Sequence, residues 1–182
     1  VTQKVGFADV TIKYSRPSAK GRVIFGDLVP FDKLWRTGAN AATTISFDKD
    51  LKIDGTVVKA GEYSIFTIPG KEKWTIILNA DAKASTGSYS QDKDVLRLSA
   101  PAVTLPTSTE TLTFNFTNLE NTGVATIELV WEKTAVRFTI ENEVDAVVMA
   151  NIKELTSGVS PSVYFASARY YYNTNRDLNQ AL

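Results

Sequence analysis

The chain has 182 residues, 20 of them Lys or Arg and 20 Asp or Glu, so its formal charge is zero and it lacks the cationic excess on which nucleic-acid binding depends. It contains neither His nor Cys, which removes disulfides, thiol nucleophiles, haem and iron–sulfur ligation through Cys, His-based zinc sites and every triad whose base is imidazole. Its composition, 43% apolar and 22% charged, is that of an ordinary globular domain, and no apolar run approaches the roughly eighteen residues that suggest a membrane span.

The first residues, Val1-Thr2-Gln3-Lys4, form no charged-then-apolar leader, so a processed chain is expected, with any signal peptide already removed. From residue 5 to about 140 the hydrophobic period is two. Val10, Ile12 and Tyr14 alternate with Asp9, Thr11 and Lys13, the pattern of a half-buried strand. Similar runs follow at Arg22–Phe25, Thr43–Phe47, Glu62–Ile68, Trp74–Leu78, Val95–Leu98, Leu112–Phe116, Ala125–Trp131 and Val136–Ile140. Turn signals lie between them at Asp54-Gly55, Ala60-Gly61, Pro69-Gly70 and Thr122-Gly123. Asp54-Gly55 is the sharpest, because a two-residue hairpin turn needs positive φ twice. About ten short strands predict an all-β antiparallel sandwich, jelly-roll or immunoglobulin-like, or a barrel; alternation alone does not separate sandwich from barrel.

After Glu141 the period changes. Val144, Val147, Val148, Ile152 and Leu155 share a helical face, and Gly158 is placed to end that helix as its C′ residue. Ser160-Pro161 reads as N-cap and first helical residue of a second helix that carries Tyr164, Phe165, Ala168 and Tyr171–Tyr172. Asn173-Thr174-Asn175 interrupts it, and a third helical phase is expected from Asp177 to Leu182. This spacing is similar to the helix–turn–helix of a tetratricopeptide repeat. One such unit cannot bury its own face, so the tail is expected either to pack on the β domain or to await more chain. Tyr170, Tyr171 and Tyr172 cannot share one helical face, so at least one should be exposed or meet a partner. The domains expected are therefore 1–140 and a helical extension, 141–182.

Chemistry-bearing residues are densest between Tyr14 and Thr44, a stretch that otherwise reads as loop. Arg with Asn and an aromatic can hold a carboxylate, a phosphate or a sugar ring, which makes Tyr14, Arg16, Trp35, Arg36 and Asn40 the candidate ligand-binding residues. The competing reading makes Trp35 a core plug, Arg36 half of an ion pair and Gly38 a turn. Asp48, Asp50 and Asp54 near one turn, and Asp92 and Asp94 near another, supply the carboxylates a glycan hydrolase would need, but such residues usually form turns. No Gly-x-Ser-x-Gly elbow and no phosphate loop occurs, and Ser18-Ala19-Lys20 has the wrong spacing for a Ser-x-x-Lys nucleophile. Only oxygen ligands are plentiful, so calcium is the metal to consider. Asp48-Lys49-Asp50 with Asp54-Gly55 fails the twelve-residue loop of an EF-hand, which leaves Asn79, Asp81 and Asp92 to converge if any do. No metal or cofactor is assigned. Tyr63, Phe66, Trp74 and Trp131 are expected in the core.

The chain resembles the bacterial family of unknown function numbered 2911. The resemblance is carried by Tyr14-Ser15-Arg16-Pro17, Lys20-Gly21-Arg22, Gly26-Asp27-Leu28-Val29-Pro30, Trp35-Arg36-Thr37-Gly38-Ala39-Asn40 and Ala60-Gly61-Glu62-Tyr63-Ser64-Ile65-Phe66-Thr67-Ile68-Pro69. Trp74-Thr75-Ile76-Ile77 and Asp94-Val95-Leu96-Arg97 extend it across most of residues 5–140. It implies a β-sandwich, export to the periplasm or outside the cell, and in some members a helical, repeat-like tail. This chain departs from the family pattern twice. Ala41 stands where the pattern has a glutamate after the asparagine, and the polar loop Ala82–Gly87 replaces a Trp-Gly pair. The function expected is that of an exported, non-enzymatic binding or scaffolding domain of unknown ligand; if it binds a small anionic or sugar-like group, the five residues above are the ones expected to hold it. The alternatives are a carboxylate-dependent glycan hydrolase and a protein-interaction module acting through the helical tail.

Overall fold

The computed structural model describes residues 1–157 and 160–180; the helix end expected at Gly158 and the last residues of the third helical phase, Ala181 and Leu182, lie outside them. Nine strands form one antiparallel sheet: β1 (Thr2–Val5), β2 (Ala8–Lys13), β3 (Thr43–Phe47), β4 (Leu51–Ile53), β5 (Thr56–Val58), β6 (Gly61–Ile68), β7 (Lys73–Asn79), β8 (Asp94–Thr117) and β9 (Val124–Glu141). Their order is β1-β2-β3-β6-β7-β8-β9-β4-β5. Among the described residues the sheet stays open, with β1 and β5 as its edges.

Two strands are much longer than alternation suggested. Val95–Leu98 and Leu112–Phe116 both belong to β8, and Ala125–Trp131 and Val136–Ile140 both belong to β9. The first part of β8 pairs with β7, and the rest pairs with β9 through two register shifts between Thr104 and Thr113. β8 is thus shared by the two parts of the sheet. Val10, Ile12, Ile45, Ile65 and Ile76 from one part and Phe114, Ile127, Leu129, Phe138 and Ile140 from the other belong to a single buried cluster. Each such side chain contributes about 1.5–3 kcal/mol on burial.

The Asp54-Gly55 turn forms as its residue types require: both take positive φ, 43° and 83°, between Ile53 and Thr56. The run Arg22–Phe25, by contrast, is not a strand. Lys20, Gly21 and Gly26 all take left-handed φ, and Arg22 turns back, its amide and guanidinium donating to the carbonyls of Ala19 and Ser18. Alternation over four residues does not survive left-handed backbone on either side. The inner strand β6 is buried on both faces from Tyr63 to Thr67. Its second face carries a smaller cluster of Phe66, Ile77 and Ala84, packed with Leu34, Ala42, Ile68 and Tyr89.

By contact, the chain divides into Val1–Asn142 and Glu143–Leu182. The second unit holds α1 (Val144–Thr156), α2 (Pro161–Asn173) and a short 3-10 turn, Leu178–Gln180. Ser160 is extended (φ −76°, ψ 149°) and Pro161 occupies the first turn of α2, where its missing N–H costs nothing. The three consecutive tyrosines divide as helical geometry demands: Tyr171 is buried and Tyr172 is 73% exposed. The Tyr170 hydroxyl donates to Asp145, whose carboxylate also pairs with Arg176 beyond the end of α2. No helix among the described residues is long and apolar enough to cross a membrane.

Three turn carboxylates are held below their ordinary range. The Asp9 amide bonds Asp48, the Lys59 ammonium and Ala60 amide bond Asp50, and the Lys93 ammonium and Lys83 amide bond Asp81. The native state therefore binds fewer protons than the unfolded chain as pH falls past the ordinary value of 3.8. The stability that these groups contribute is complete above that value and is lost as pH drops through the lower native values. Denaturant unfolding of the wild type and Asp50→Asn should differ at neutral pH, with the wild type more stable, and should converge in acid below the native value of Asp50. A constant difference across that range would show that the carboxylate does not act through its charge.

Candidate functional site

The segment that leaves β2 crosses to the outer side of β8. Ala19 donates to the Glu110 carbonyl at 2.7 Å and Leu112 donates to that of Pro17 at 3.0 Å. Two candidate residues fasten this crossing. The Tyr14 hydroxyl accepts the Phe114 amide at 3.1 Å, with its ring edge-on to Phe114. The exposed Arg16 guanidinium donates to the Leu112 carbonyl at 3.3 Å and to Thr113 Oγ1 at 3.1 Å.

Trp35 lies in the core, 9% exposed. Its indole is stacked on Trp131 at 6.0 Å and 18°, and edge-on to Phe25 and Trp74. Its backbone exchanges hydrogen bonds with Thr67 at 2.8 and 2.9 Å, continuing the sheet along β6 where β3 stops. Residues 36–42 are therefore an excursion between two points on the same edge of β6. The Thr43 amide closes it on the Arg36 carbonyl, the Thr43 hydroxyl bonds the Thr37 carbonyl at 2.8 Å, and the Trp35 indole N–H donates to the Gly38 carbonyl at 3.1 Å. Gly38 is closely packed there: a Cβ would meet Thr43 Oγ1 at 3.2 Å, so that hydroxyl would have to shift by a few tenths of an ångström. Arg36 is half-buried, and its Nε has no hydrogen-bond partner. Asn40 is exposed in a left-handed turn (φ 62°).

A cleft of about 580 Å³ opens where three segments meet: Lys13–Ser15 at the end of β2, Ala41, Ala42 and Thr44 at the start of β3, and Ala82–Ser85. Its charged side chains are Lys13 and Lys83. The hydroxyl-bearing residues Tyr14, Ser15, Thr44 and Ser85 also line it, and no carboxylate does. Lys13 makes a long, exposed pair with Glu62 at 3.8 Å. Of the five candidates the cleft takes Tyr14 into its wall and has Asn40 adjoining Ala41; Trp35 and Arg16 are engaged elsewhere. Both departures from the family pattern, Ala41 and the loop beginning at Ala82, fall on this cleft.

The far wall is held by a polar network that sequence reading missed. Asn79 is buried at the end of β7 and donates to the Ser90 carbonyl (2.9 Å) and to Asp94 Oδ1 (2.8 Å). Asp94 Oδ2, on a side chain 5% exposed, accepts from the Tyr89 hydroxyl at 2.6 Å and from Arg97 at 2.7 Å. Burial, then the bond to Asp94, pushes the Tyr89 hydroxyl up from its ordinary value. Burial works against the Arg97 charge, but Asp94 and the Tyr89 oxygen outweigh it, so Arg97 is raised. Asp94 and Arg97 are three apart, and strict alternation would put them on opposite faces. A register shift pairs Asn79 with Asp94 while Leu78 pairs with Leu96, leaving Val95 as the extra residue and returning both charges to one face.

The remaining carboxylates near hairpins are also engaged. Asp48 accepts the Asp9 amide, Asp50 pairs with Lys59, and Asp54 accepts the Thr139 amide at 2.8 Å. Asn79 and Asp81 do meet, through the Asp81 amide at 3.0 Å, but the Asp81 carboxylate is taken by Lys93, and Asp92 is exposed. Among the described residues no three acidic side chains gather to hold a metal. A family model described as a protein of unknown function (DUF2911) matches residues 1–140. No curated protein and no solved structure matches the chain.

Removing the Asp94 carboxylate leaves an amide, a hydroxyl and a guanidinium without their shared acceptor. Asp94→Ala should cost about 2–4 kcal/mol in denaturant unfolding, the range for a broken buried network with one partner partly in water. Limited proteolysis should then cut first between Ala80 and Ser90. Arg36→Met removes an unsatisfied nitrogen while keeping the side chain's bulk, so its melting temperature should match or exceed the wild type; a clear fall would mean that Arg36 has a partner holding the excursion.

Proposed function

The chain belongs to the DUF2911 family of proteins of unknown function, and from that footing we propose that its β unit is a non-enzymatic binding domain whose cleft takes a small anionic ligand, a carboxylate, a phosphate or an acidic sugar. The observation that carries this reading is the lining of the cleft: two lysines and four hydroxyl-bearing residues with no carboxylate. The charged groups that an anion meets there are both ammonium donors, and charge-assisted hydrogen bonds are about twice as strong as neutral ones. Ala41 supports the reading, since a glutamate there would stand at the cleft and repel the ligand. A glycan hydrolase is less well supported, because its paired carboxylates would have to flank a bound sugar, whereas the turn carboxylates here are bonded to amides and ammonium groups.

The same reading places the protein in the periplasm or outside the cell, supported by the family resemblance; a sequence free of Cys suits either compartment. Fractionation of the native host, with the protein confined to the cytoplasm, would overturn that placement. The helical unit favours a second role in binding a protein, because Phe165 and Tyr172, seven residues apart on α2, are 71% and 73% exposed. A photo-crosslinker placed at Phe165 that captures no neighbour in cells would remove that role.

Calorimetric titration with inorganic phosphate and with citrate tests the anion reading. At least one should bind saturably, Lys83→Gln should weaken it about tenfold, and Ala41→Glu should abolish it without lowering the melting temperature. Absence of binding by both anions, or indifference to both substitutions, would overturn the assignment of the cleft.

A further inference from the structure

A second concavity, of about 210 Å³, shares no residue with the cleft. Its apolar wall includes Phe25, Phe31 and Trp74, and its charged residues are Lys71, Lys133 and Glu132. It lies where the β8–β9 ladder is most irregular. β8 advances five positions, from Thr104 to Thr109, where β9 advances two, from Thr134 to Glu132. Glu132 itself sits at φ 52°, a left-handed conformation in the middle of a strand. Bulges and strained residues of this kind re-aim side chains and persist where the surrounding structure demands them.

The three charges are not spent on one another. Among the described residues, neither lysine has an ion-pair or hydrogen-bond partner, and the Glu132 carboxylate accepts only a long bond, 3.4 Å, from the Ile24 amide. A ligand must therefore satisfy a carboxylate and two ammonium groups at once while covering aromatic surface. A simple anion would be opposed by Glu132, a simple amine by the lysines, and a wholly apolar molecule would strip water from all three charges and replace it with nothing. Hydroxyl groups both donate and accept. A sugar ring offers several of them around its rim and an apolar C–H face for Phe25 and Phe31. The volume is below the ~300–1,000 Å³ of pockets for drug-sized ligands, which suits a single ring.

We propose that this groove is a binding site for a neutral monosaccharide unit, with Glu132 accepting from its hydroxyls, Lys71 and Lys133 donating to them, and Phe25 and Phe31 against its apolar face. The site is independent of the anion reading of the cleft and stands or falls apart from it.

All three tryptophans of the chain, Trp35, Trp74 and Trp131, belong to the one cluster behind this groove, and none lines the cleft. Intrinsic tryptophan emission therefore senses this site through Trp74, and the Glu132 and Lys71 variants separate that signal from any that reaches Trp35 through the Gly38 carbonyl. Titration of the full chain with glucose, galactose and N-acetylglucosamine, one at a time, should give a saturable change for at least one. Glu132→Gln and Lys71→Gln should each weaken it about tenfold or more. Glu132→Gly should also lose binding while keeping or raising the melting temperature, because glycine takes positive φ without strain. No saturable change with any of the three sugars would overturn the proposal, as would unaltered binding in Glu132→Gln. A lowered melting temperature in both Glu132 variants would overturn it too, since the carboxylate would then serve the Ile24 amide and not a ligand.

Discussion

The indole of Trp35 lies 6.0 Å from that of Trp131 and nearly parallel to it. One tryptophan is bonded through its backbone to β6 and the other belongs to β9, so their contact joins the two parts of the sheet. Phe25 and Trp74 stand edge-on around the pair, the arrangement that ring quadrupoles favour, and each such pair adds about 0.5–1.5 kcal/mol beyond burial. The same indole reaches the Gly38 carbonyl, so the excursion that forms one side of the cleft hangs from the core by a hydrogen bond. The groove at Glu132 takes two of these rings, Phe25 and Trp74, into its wall. Packing of four rings thus positions both concavities.

Around that cluster, polar groups shape the loops. Thr37 and Thr43 are fully buried and bind the excursion from within, and Asn79 with Asp94 holds the loop after β7 over the second face of the sheet. Buried polar groups of this kind cost stability unless satisfied, so each set of bonds leaves its loop few alternatives. The cleft is the space left between two loops fixed in this way. Its cationic character follows from which side chains those loops do not carry, above all a carboxylate at position 41.

Much of the strand pattern was legible. Thr43–Phe47 and the Asp54-Gly55 hairpin follow from alternation and from a turn that requires positive φ. Tyr63, Phe66, Trp74 and Trp131 are buried, as their places in alternating runs implied. The failures have local causes. Arg22–Phe25 alternates, but its neighbours bend the chain out of extended geometry, and the split of β8 and β9 into shorter strands arose because bulges break alternation without ending a strand. Trp35 illustrates the limit for the candidate site. A tryptophan beside an arginine and an asparagine in a loop-like stretch has the composition of a binding site, and only its stacking on a residue almost a hundred positions away makes it core.

By itself, the sequence determined an antiparallel β unit followed by two helices, because side-chain period and turn chemistry are local and need no knowledge of what lies across the core. It also determined which chemistries are absent, since no fold can supply a thiol or an imidazole the chain lacks. The tertiary structure decided which polar residues share a site. Lys13 and Lys83 meet at one cleft because the end of β2, the start of β3 and the loop after β7 come together there, and Asp94 reaches Asn79 because one extra residue shifts a register. Such meetings depend on strand order and on bulges. Both are settled by packing between segments far apart in the chain, where a period read along the sequence has no reach.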